Sequence, residues 1–87
     1  MRPALGQKVV FCDAKGIDRD ALVTCVWSDT CVNLVFVSGD ESKTDTYGRQ
    51  IERHTSVTHS ANHGQAHGFH WRFDGEPANE YKPPLAV

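Results

Sequence analysis

A chain of 87 residues with a hydrophobic fraction of 39%, including four Phe, two Trp and two Tyr, has apolar surface for one core and too little for two. A charged fraction of 23% beside those aromatics excludes global disorder, and no stretch approaches the ~20 apolar residues of a membrane-spanning helix. The formal charge of −2 offers no overall basic field to nucleic acid or anionic lipid, although protonating all five histidines would invert it to +3.

The first eight residues lack the apolar stretch of a signal peptide, so the chain is expected to stay in the cytoplasm where it is made, with no membrane partner. Residues 7–12 are short, β-branched and aromatic and read as a strand, ended by the turn signal Asp13-Ala14-Lys15-Gly16. Residues 20–28 are apolar at both parities, with Leu22, Thr24 and Val26 opposed to Ala21, Val23, Cys25 and Trp27. Such a strand belongs in the middle of a sheet.

After the polar link Ser28-Asp29-Thr30, residues 31–38 alternate again, with Val32, Leu34 and Phe36 on one face, and should form an antiparallel hairpin with the preceding strand. Residues 39–43 are a turn. Residues 44–53 then read as a solvent-facing strand interrupted near Gly48.

Residues 55–68 hold three of the five histidines and a single large apolar side chain, Val57, and read as a loop. Phe69, Trp71 and Phe73 alternate with His70 and Arg72, which places three rings on the core side of a closing strand. From Asp74 onward Gly75, Pro77, Pro83 and Pro84 indicate an extended or mobile tail. The expected organisation is one domain over residues 1–74 and a tail over 75–87. Its class is all-β, a small barrel of about five short antiparallel strands with no sustained helical periodicity.

The run Ala21-Leu22-Val23-Thr24-Cys25-Val26-Trp27, followed by Cys31-Val32-Asn33-Leu34-Val35 and later by Ser56-Val57 and Trp71, resembles a group of small tailed-bacteriophage proteins. The resemblance spans roughly residues 7–73 and implies an SH3-like barrel; it implies no activity. Here the last strand continues into Arg72-Phe73-Asp74, and the histidine-bearing loop is longer than in that group.

Candidate chemistry is sparse. Cys12, Cys25 and Cys31 are odd in number and lack Cys-x-x-Cys pairs, which suits reduced core thiols better than a disulfide framework or a structural zinc. His59, His63 and His67 are spaced by four and would share a helical face, but Ser60, Asn62, Gly64 and Gly68 oppose a helix there, so no metal or other cofactor is expected. No phosphate loop or paired-carboxylate motif is present, and no enzyme activity is expected.

The leading expectation is a non-enzymatic binding module for a protein partner, another copy of itself among the candidates. Its contacts would come from Trp27, Tyr47, Arg49, Arg53, His59, His63, His67 and His70, most of them on the polar connections of the barrel. A nucleic-acid-associated barrel using Lys43, Tyr47, Arg49 and Arg53 is the main alternative, opposed by the interleaved Asp40, Glu41, Asp45 and Glu52. A histidine-driven, pH-responsive assembly protein is a further one.

Overall fold

The computed structural model describes residues 2–62 and 69–76, and within them the chain is all-β. Its strands are β1 Lys8–Cys12, β2 Asp18–Val26, β3 Cys31–Val37, β4 Thr44–Asp45, β5 Gly48–Arg49, β6 Ile51–Thr58 and β7 His70–Phe73, with one 3-10 turn at Ser60–Asn62. Five of them form an antiparallel sheet in the order β6-β3-β2-β1-β7, curled into a half-barrel. β4 and β5 pair as a separate small hairpin.

Local chemistry explains the connections. The β1–β2 turn is built by Asp13, whose Oδ1 accepts the amide hydrogens of Lys15 and Ile17, with Gly16 at φ +82° supplying the left-handed residue. The β2–β3 link closes when the amides of Trp27 and Ser28 both donate to the Cys31 carbonyl. Strand alternation then sends Val9, Phe11, Ala21, Val23, Val32, Leu34 and Phe36 inward, where Val57 and Trp71 join them in a single buried cluster.

The curl has an identifiable origin at Asn33. On one side β2 carries an extra residue between Val23 and Cys25; on the other, β6 carries one between its partners for Val32 and Leu34. Each bulge bends its strand and steepens the twist, so two of them flanking one residue fold the sheet over. Asn33 also stabilises the second bulge, because its Oδ1 accepts the amide hydrogen of Ser56, the one non-glycine residue among those described with positive φ, at 54°.

Closure comes from Thr30. Its carbonyl accepts both the His59 amide at 2.7 Å and the Trp71 indole N–H at 3.2 Å, and His59 and Trp71 form a parallel bridge between the end of β6 and β7.

The all-β class, the central position of residues 20–28, the hairpin that follows them and the closing aromatic strand agree with the sequence reading. One expectation is corrected. Residues 55–58 are not loop but the second half of β6, and 60–62 form the 3-10 turn. The bulge at Ser56 breaks the two-residue period, so Val57 reaches the core from a segment whose pattern looks irregular. Trp27, one of the expected partner contacts, is 62% exposed, because β2 ends at Val26 and its indole lies back over Asn33, donating to Oδ1 at 2.7 Å.

Candidate protein-interaction surface

On the outer face of the sheet, cross-strand neighbours line up in rows. One row runs Lys8, Leu22, Val35, Arg53 across β1, β2, β3 and β6. The adjacent row places Val10 beside Asp20 and Val37 beside Ile51. Four of these side chains, Leu22, Val35, Val37 and Ile51, make a contiguous apolar block, and with Lys8 and Asp20 they line a shallow depression of about 350 Å³. An antiparallel sheet with one covered face normally turns polar residues to water on the other. Here Leu22 is 49%, Val37 56% and Ile51 58% exposed.

Charges border the block on two sides. Lys8 Nζ lies 3.6 Å from both the Asp20 and Asp74 carboxylates, so that edge carries one net negative charge. At the opposite edge stands Arg53, exposed and without an ion pair among the described residues. A cation held unpaired beside exposed aliphatics is an arrangement suited to a partner that brings a carboxylate.

The residues expected to bind a partner do not share one site. Trp27 lies at the β2–β3 end and Tyr47, 98% exposed, at the tip of the β4–β5 hairpin, which grows from the other end of β3. Arg49 turns back to donate to the Ser38 carbonyl at 3.0 Å, while Arg53 faces outward on the block. Because Lys43 pairs with Glu52 at 3.5 Å, the basic stretch 43–53 splits into separate local contacts and presents no common cationic face. His70 is half-buried on β7 opposite Cys12. His63, His67 and the tail from residue 77 onward lie outside the described residues.

His59 is a buried structural group. Its Nδ1 accepts the Ala61 amide hydrogen at 3.0 Å, which leaves the ring proton on Nε2, donated to Glu76 Oε1 at 2.6 Å. Both ring nitrogens are thus committed, and the ring edge packs on Trp71. Burial alone would raise the Glu76 carboxyl, but the Phe73 amide and His59 outweigh it and hold the group below the usual carboxylate range.

The other polar clusters are likewise self-satisfied. Arg72 grips Asp18 with two bonds of 3.2 and 2.8 Å, which lowers the Asp18 carboxyl. Burial, reinforced by the neighbouring Asp18 charge, pushes the Cys12 thiol up, so it remains protonated and a poor nucleophile.

A cleft of about 520 Å³ is lined by the mutually packed rings of Phe11, Phe36, His54 and Phe69. Of the charged residues that line it, Arg19 pairs with Asp13 and Lys43 with Glu52, while Lys15 and Asp40 also stand at the cleft. No three metal-binding side chains converge among the described residues.

The chain was compared with family models, curated proteins and solved structures, and none matches. Fold and site together define a class: a small curled antiparallel sheet with its outer face left apolar and charge-bordered.

Proposed function

We propose that this chain is a non-enzymatic binding module that docks a protein through the outer face of its sheet. The observation that carries the reading is the block of exposed Leu22, Val37 and Ile51 around half-buried Val35, on a sheet whose inner face already supplies the core. Burying such aliphatics releases about 25 cal/mol per Å² of apolar area, so covering this face with a partner is favourable. The commitment of both His59 nitrogens and the raised Cys12 thiol support a binding role over a catalytic one.

A photo-crosslinking side chain at position 37, compared with the same group at the exposed turn residue Lys15, tests the reading. Site-specific adducts to another protein molecule, identical or different, are expected at 37 and not at 15. Equal labelling at both positions, or none at either, would reject it.

A further inference from the structure

We propose that the occupant of this face is a second copy of the chain, in a two-fold dimer that sets Asp20 of each copy against Arg53 of the other. The proposal rests on the docking reading above and names its partner.

Opposite charges stand at opposite corners of the apolar block. Row by row the face reads Leu22, Val35, Arg53 and then, one residue beyond the Ala21–Phe36 pair and around the same depression, Asp20, Val37, Ile51, so Asp20 and Arg53 lie on one diagonal. A two-fold axis lying in the contact plane, perpendicular to that diagonal, exchanges the two corners. Both Asp20–Arg53 contacts then form at once, as an isologous interface demands.

The same operation lays Leu22 against Val35 of the mate and Val37 against Ile51, so every member of the block meets an aliphatic side chain. With strands ~4.8 Å apart and ~6.8 Å per two residues, the operation crosses the strands of the two sheets at roughly 70°, near the orthogonal mode of sheet packing.

Electrostatics favours this partner. The Asp20, Lys8 and Asp74 edge sums to one negative charge and Arg53 supplies one positive charge, so two copies neutralise each other at both borders. Lys8 keeps Asp74 as a partner when Asp20 turns to the mate. That Arg53 has no ion pair among the described residues is what a self-complementary surface requires of one of its two corners.

Sedimentation equilibrium of the full chain provides the test, from about 1 to 500 µM at near-physiological salt, where exposed charges are screened beyond ~8 Å. A reversible monomer–dimer equilibrium is expected. Asp20→Arg and Arg53→Asp should each weaken it about tenfold or more, and the double exchange should return the dissociation constant to within about threefold of the parent. Both positions are on the surface, so circular dichroism should show every variant folded.

A chain that stays monomeric throughout the range, a dimer indifferent to both reversals, or a double variant no better than the singles would overturn the proposal. Failure of the dimer together with position-37 adducts to a different protein leaves the docking reading standing. Adducts confined to residues 77–87 of the same molecule overturn both.

Discussion

His59 and Glu76 meet at 2.6 Å between Nε2 and Oε1, and this one contact ties the end of β6 to the turn that follows β7. The same carboxylate oxygen accepts the Phe73 amide at 3.0 Å. Removing the acceptor leaves a buried imidazole N–H and a backbone amide without partners, so Glu76→Ala should cost about 2 kcal/mol. Glu76→Gln keeps an acceptor and should cost less than half of that. Urea denaturation monitored by tryptophan fluorescence reads both, as a shift of midpoint at constant slope. Equal midpoints for parent and Glu76→Ala would mean that the tie contributes nothing.

Acid sensitivity follows from the carboxylates. Arg72 lowers Asp18. At Asp13 and Glu76 burial acts in the opposite direction and is outweighed by amide bonds, joined by Arg19 at Asp13 and His59 at Glu76. The Ser38 hydroxyl, followed by Lys43, lowers Glu52. A folded pKa below the unfolded value means that the unfolded chain takes up more protons as pH falls. Their stabilisation is therefore complete above the unfolded values near ~4 and lost as pH drops through the lowered ones. Melting temperature should fall steeply below about pH 4, and more shallowly in Asp18→Asn. Superimposable pH profiles for the two proteins would exclude a role for the Asp18–Arg72 pair.

Ser56 holds a left-handed backbone at φ 54° inside β6, a conformation that costs a residue with a Cβ roughly 1 kcal/mol. Glycine there should raise stability by about 0.5 kcal/mol once its greater unfolded freedom is counted. Valine should lower it by about 2 kcal/mol, since branching at Cβ opposes this region further. Thermal melts of both variants check the pair of signs; a stabilising Ser56→Val would contradict the geometry.

Gly39 makes room for a cation. A Cβ built there would fall 2.2 to 2.5 Å from the Arg19 guanidinium, which sits 6.0 Å from the centre of the Phe36 ring and 3.4 Å from Asp13. Because the obstructed atoms end a flexible side chain, Gly39→Ala should displace Arg19 at a cost of about 1 kcal/mol. In an Arg19→Ala background the same change should cost almost nothing. A double-mutant cycle measures the difference, and a full penalty in that background would place the clash elsewhere.

Much of the sheet was legible because its strands obey period two. Val32, Leu34 and Phe36 announce an inward face, and Phe69, Trp71 and Phe73 a closing one. The second half of β6 was not legible, because the bulge at Ser56 resets the register and a histidine fills the last inward position, leaving Val57 as a lone apolar residue. The β-branched Thr55, Val57 and Thr58 were the signal that could have found it.

The binding surface was half-readable. Leu22, Val35 and Val37 showed strands apolar at both parities, yet alternation alone does not distinguish a second buried face from one left open. His59 reads as a loop residue, since only the fold reveals that Glu76, seventeen positions later, arrives beside its ring.

The pairing of β1 with β7 sets Phe11 opposite Trp71, whereas every other interface of the five-stranded sheet joins consecutive main strands. A meander of β1, β2, β3 and β6 can assemble from near neighbours, but docking the last strand must first close a loop of about 60 residues, an entropic toll that arrives late on the way to the native state. Damage in β7 should consequently hasten unfolding far more than it slows folding, which would make the C-terminal strand the part of the barrel that governs how long a folded molecule survives.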